Sequence, residues 1–188
     1  REQQVLSTEY GFQLARGIVA INQASIWVEQ ERAKKGIAKI REAIVALEVT
    51  GQRIFVPSYC AMLAEACAIA GQPEEGLAAL ENGIAVVETT GERYYEAELH
   101  RLNGELHLLR CDDGNDIELH FHKAIDIARR QNARSWELRA TMSLAGLWQK
   151  QGRKEEARER LASIYGWFTE GFDTPDLRDA KALLEELE

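Results

Sequence analysis

The chain is 188 residues long, 45% hydrophobic, and carries a formal net charge of −8 from 23 Lys+Arg and 31 Asp+Glu. That acidic balance argues against a nucleic-acid backbone or an anionic membrane surface as partner, because either needs a clustered positive field. No apolar run approaches the roughly 18 residues that cross a bilayer, and three cysteines without framework spacing suit a reducing, cytoplasmic setting.

In chain order, residues 1–10 read as the tail of a helix whose partner is missing: Val5, Leu6 and Tyr10 are apolar, and Gly11 is placed to end it as a left-handed cap. The chain opens on Arg1, so it reads as a segment of a longer protein, and an apolar edge at 1–10 would offer a homodimer contact. Four helix pairs are predicted within 11–172, over about 12–50, 54–90, 92–132 and 134–169. In the first pair a charged turn, Glu31 to Lys35, separates the helices, and the second helix keeps Ile37, Ile40, Ala43, Ile44 and Leu47 on one stripe. In the second pair Gly71 stops one helix, and Pro73, Glu74 and Glu75 start the next, where a missing N–H costs nothing and acids suit the positive helix end. The third pair turns at Cys111 to Asp116 and the fourth at Gly152 to Glu156. Residues 173–188 form a last helix, with Asp173 or Thr174 as cap, Pro175 in the first turn, and Leu177, Ala180, Leu184 and Leu187 on its apolar side. One wet face and one dry face suit the terminal cap of a repeat array.

The pairs repeat. Leu144-Ala145, Trp148, Gly152, Ala157, Leu161 and Ile164 define a frame that Leu63-Ala64, Cys67, Gly71, Gly76, Leu80 and Gly83 also fit. Looser copies are Gly104, His107, Ile117, Phe121 and Ala124, and Ala24, Trp27, Gly36, Ile40 and Ala43. The residues opening the second helices, Gly36, Gly76, Ile117 and Ala157, are spaced by 40, 41 and 40. A fixed period with helical spacing inside it is the tetratricopeptide (TPR) pattern, with helices longer than in the usual repeat. It predicts an all-α, right-handed superhelical solenoid of antiparallel helix pairs with a C-terminal capping helix. Small residues on the first helices (Ala24, Ala64, Gly104, Ala145) are expected to face large ones on the second (Ile40, Leu80, Phe121, Leu161), so that two helices approach closely.

Longer stretches carry a narrower resemblance. Ala70-Gly71-Gln72-Pro73-Glu74-Glu75-Gly76-Leu77, Thr90-Gly91-Glu92-Arg93-Tyr94-Tyr95-Glu96-Ala97-Glu98-Leu99-His100, Ser135-Trp136-Glu137-Leu138-Arg139-Ala140 and Tyr165-Gly166-Trp167-Phe168-Thr169-Glu170-Gly171-Phe172-Asp173-Thr174-Pro175 are the clearest. They resemble the C-terminal TPR region of bacterial multidomain signalling ATPases, which often carry a class III adenylate/guanylate cyclase. The resemblance implies a regulatory or interaction arm. It carries over no catalysis, since neither a glycine-rich phosphate loop nor a cyclase metal-binding aspartate pair is found in the chain.

Function is therefore sought on the inner face of the first helices. The candidate partner-binding residues are Ser58, Glu65 and Ile69 in the second pair, Glu98, Arg101, Glu105 and Leu108 in the third, and Arg139, Met142 and Gln149 in the fourth. The first pair would add Ile18, Ile21, Ser25, Val28 and Glu29. This apolar floor with mixed charges suits a peptide or protein segment, either from another protein or from another domain of the same parent. A small-molecule sensor is the alternative. No catalytic group, cofactor or metal site is predicted. His107 and Cys111 share a helix spacing but lack further ligands, and Trp27, Trp136, Trp148 and Trp167 read as core.

Overall fold

The computed structural model describes residues 33–49, 51–111 and 114–188. The predicted tail at 1–10, the helix at about 12–30 with Ile18, Ile21, Ser25, Val28 and Glu29, and the turn residues Asp112 and Asp113 lie outside the described residues. Eight α-helices are described and no strand among them. They are α1 (Ala33–Val49), α2 (Val56–Ile69), α3 (Pro73–Thr90), α4 (Glu96–Leu109), α5 (Gly114–Arg130), α6 (Arg134–Lys150), α7 (Lys154–Tyr165) and α8 (Pro175–Glu186). The chain divides into two compact units, one through Tyr95 and one from Glu96 onward.

In the first unit α2 packs on both α1 and α3. The stripe Ile37, Ile40, Ala43, Ile44 and Leu47 is buried, as its 3.6-residue spacing requires, while Val45 and Val49 face outward. Helix α2 is apolar on most sides, with Val56, Cys60, Ala64, Ala66 and Cys67 fully covered. In the second unit α4 and α5 form one pair, α6 and α7 the next, and α8 closes against α6 and α7. Its core runs through Ile117, Phe121, Ile125, Leu138, Leu144, Trp148, Leu161 and Leu177. All four predicted openers of second helices, Gly36, Gly76, Ile117 and Ala157, are buried.

The repeat also shows in the backbone. Residues with left-handed φ fall in two series: Gly71, Cys111 and Gly152 between the helices of a pair, and Gly51, Gly91, Asn132 and Gly171 after the second helices. Two members are not glycine. Asn tolerates this region, whereas Cys111 (φ 61°) sets its Cβ against the following carbonyl.

Two local expectations are corrected. The helix predicted from 92 begins at Glu96, because Gly91 (φ 75°) caps α3 and the next four residues turn, letting Tyr94 send its hydroxyl back to the Ile54 carbonyl at 3.3 Å. Thr174 precedes α8 but does not cap it with its side chain; its hydroxyl donates to the Gly171 carbonyl at 2.7 Å.

The small-against-large register is realised at Gly104. A Cβ there would sit 2.5 Å from Phe121 Cε1, and Phe121 is fully buried, so neither ring nor backbone has room to yield. Gly104→Ala is expected to lower stability by about 1–3 kcal/mol through overpacking. Cys111→Gly, which relieves the left-handed strain, is expected to raise it by about 0.5–1 kcal/mol. Urea titrations of the two variants check both signs.

Candidate functional site

The candidate residues separate into two groups. Ser58, Glu65 and Ile69 lie on α2 in the first unit. Ser58 Oγ donates to the Phe55 carbonyl at 2.8 Å and lies 3.3 Å from the Tyr94 hydroxyl oxygen; Glu65 is half-buried and Ile69 is exposed. The other seven lie on α4 and α6, adjacent helices of the second unit.

Glu98 anchors this second group. Its carboxylate is only 2% exposed, and burying an ion costs several kcal/mol unless its oxygens are paired. Arg101, one turn on, supplies a fork: Nε to Oε2 and Nη2 to Oε1, both at 2.8 Å. Arg139, from α6, adds Nη1 to Oε1 at 3.0 Å. The remaining groups continue the network. Arg101 Nη1 lies 3.4 Å from both Glu105 Oε1 and Ser143 Oγ, and Ser143 donates to Glu105 at 2.5 Å. Arg139 stacks on the Trp136 ring at 5.3 Å and faces Asp176 of α8 at 3.9 Å.

Above this network lies an open cleft of about 340 Å³ between α4, α6 and α8. Arg101, Glu105, Leu108, Arg139 and Met142 of the candidate set line it, together with Gly146 and Lys150 from the same helix faces. Glu98 is not in its wall; it lies beneath and holds the arginines in place. Gln149 is half-buried and takes no part in the wall. Ser143, Leu147, Asp176, Asp179 and Leu183 line the cleft without having been singled out in the sequence. The last three come from α8, whose placement over α6 no helical spacing announces. Among the described residues, Lys150 and Asp179 are its charged groups with no ion pair.

Burial pushes the Cys60 thiol up to about 12 and Cys67 to about 11, so both stay protonated and unreactive. Cys111 lies beyond the end of α4 and is exposed, off the helix face that carries His107. His107 instead stacks on His120 of α5, centroids 5.2 Å apart, with His100 on the far side of His120 at 6.5 Å. No three His, Cys, Asp or Glu side chains among the described residues converge as a metal site would require. Of the tryptophans read as core, Trp148 is buried and Trp136 half-buried, but Trp167 is 56% exposed. No described helix is long and apolar enough to cross a membrane.

No family model matches the chain. An uncharacterised protein of Rhizobium meliloti (strain 1021) is 28% identical over 123 residues, which is 64% of this chain and 12% of that protein. The matched segment is thus a small part of a much longer relative. Among solved structures, a Podosopora anserina protein described as a kinesin light chain with nearly identical TPR-like repeats superposes with a TM-score of 0.65 at 16% identity, covering 90% of this chain and 83% of that one. A single-substitution variant of the same protein gives 0.67 at 15% identity with the same coverage. At that identity the likeness establishes the fold: all-helical, sequential pairs, TPR-like.

His100 makes stability depend on pH. Burial first, then the positive charge of Lys123 and His120, pulls its pKa from 6.5 to about 4. Between those values the unfolded chain binds a proton that the folded chain refuses. The contribution is complete above pH 6.5 and is lost as the pH falls toward 4, by up to about 3 kcal/mol. Urea midpoints measured across that window should fall steeply for the parent chain and less for His100→Leu; parallel curves would show that His100 is not the group responsible.

Proposed function

We propose that the chain is a non-catalytic protein-interaction module that holds a peptide or protein segment in the cleft between α4, α6 and α8. The observation that carries this reading is the combination of a fixed polar wall and an apolar floor. Glu98 locks Arg101 and Arg139 in place before any partner arrives, so little side-chain entropy is lost on binding. Leu108, Met142, Leu147 and Leu183 offer a surface for an apolar anchor. Both charge signs at the rim, with Lys150 and Asp179 unpaired among the described residues, would fix the orientation of a segment laid across it. TPR-like folds commonly bind protein segments in this manner. The resemblance to signalling ATPases supports a regulatory arm within an ATPase- or cyclase-linked protein, with another domain of the same parent as one partner; the match spanning 12% of the Rhizobium relative fits only the coarser idea of a segment within a longer chain.

A second reading is a small-molecule sensor. About 340 Å³ lies at the low end of ligand-pocket sizes, and two guanidiniums flank it. The openness of the cleft to solvent favours the peptide.

Charge reversal at Arg101 is a poor probe, because it would strand the buried Glu98 carboxylate. Met142→Lys and Lys150→Glu alter the floor and the rim and leave that network intact. Peptides selected from a random library on the full chain are expected to include a class that loses about tenfold or more in affinity to each variant, the scale of one lost anchor or rim pair. If every selected peptide binds both variants as it binds the parent chain, the cleft is not the binding site.

A further inference from the structure

We propose that Arg129, Arg134 and Arg160, beside the exposed Trp167, form a second docking site, for a short acidic segment of a partner protein. The residues come from four places in the chain: the last turn of α5, the start of α6, the middle of α7 and the loop after it. They meet around Glu137, which is 2% exposed. Arg129 Nε donates to Glu137 Oε1 and Arg134 Nη1 to Oε2, each at 2.6 Å. Each carboxylate oxygen is thereby engaged by a guanidinium.

Arg160 joins the same field as a third guanidinium, and its buried Nε has no hydrogen-bond partner. A buried, unsatisfied N–H of a charged group costs free energy, and its positive charge adds to the field that an incoming carboxylate would meet. Burial, followed by the like charge of Arg129, weakens its hold on its proton, with only Glu137 and the exposed Asp126 opposing. Three guanidiniums thus gather around one buried carboxylate, on a chain whose net charge is −8.

The surroundings fit a peptide. The side chains of Arg129 and Arg134 remain 43% and 34% exposed, so their outer N–H groups are within reach of solvent. The Arg134 guanidinium lies 5.4 Å from the Trp167 ring centroid, and Phe168 supports that ring edge-on at 5.2 Å. Arginine and tryptophan side by side, half in solvent, are the residue types that dominate protein–protein hot spots. A segment with two carboxylates next to one apolar side chain would satisfy the excess charge and cover the ring. A long polyanion would not be held as well, because the acids Glu155 and Glu159 of α7 and the net charge of the chain oppose it.

The test uses the full chain and a random dodecapeptide library. Selected peptides are expected to include a class rich in Asp or Glu beside an apolar residue, with affinity that falls as salt rises from about 50 to about 300 mM. That class is expected to lose about tenfold in affinity to Trp167→Ala and to Arg160→Gln, and to bind Met142→Lys like the parent, which separates this site from the cleft. Trp167 is exposed, so its removal should leave the thermal melt unchanged and keeps the test open should Arg160→Gln unfold. The proposal is overturned if no acidic class is selected, if that class binds Trp167→Ala undiminished, or if an oligothymidylate displaces it at lower concentration than an acidic peptide does.

Discussion

The spacing between the two helices of a pair governs the rest of the structure. Ala64, Gly104 and Ala145 are buried on the first helices of their pairs, Leu80, Phe121 and Leu161 are fully covered on the second, and Gly104 meets Phe121 directly. Interiors pack as densely as organic crystals, so a small residue on one helix and a large one on the other define a single separation. At Gly104 that separation is so close that no Cβ fits against Phe121. Once it is set, the outward side chains of α4 and α6 stand at a fixed distance from one another. Arg139 can then reach across to a carboxylate on α4.

Two buried carboxylates, Glu98 on α4 and Glu137 on α6, act as hubs for pairs of arginines. Such networks add little net stability compared with apolar packing, because desolvation offsets the Coulomb gain. Their consequence is geometric. Glu98 fixes the guanidiniums of the cleft wall, and Glu137 fixes those around Trp167. An acidic chain thus presents ordered positive groups at two places while most of its surface charge is negative. The histidine stack between α4 and α5 is different in kind: His100 is held neutral by burial, which ties that helix pair to a pH above its titration range.

Much of the fold was legible because it is written in local terms. Pro73 with Glu74 and Glu75 marks a helix start, Gly71 and Gly152 mark left-handed turns, and the stripe from Ile37 to Leu47 marks the buried side of α1. Repetition of these signals every 40 residues or so indicated stacked pairs, and the solved TPR-like structures agree with that fold. The candidate site was legible only in part. Counting along α4 and α6 found Arg101, Glu105, Leu108, Arg139 and Met142, because side chains three and four apart share a face. It could not say that Glu98 lies beneath the cleft, since i and i+3 positions look alike until the neighbouring helix covers one of them.

The sequence alone carried the helical period, most helix starts and stops though not the start of α4, and the need for a small residue at Gly104, because these follow from backbone sterics and the 3.6-residue turn. Tertiary structure decided which charges meet: Arg139 with Glu98, Arg129 with Glu137, Asp176 and Asp179 of α8 at the mouth of the cleft, and Trp167 in solvent and not in the core. Those ion pairs join residues separated by 8 to 41 positions through helix packing, with energies that depend on burial and distance. No pattern within a single helix encodes them.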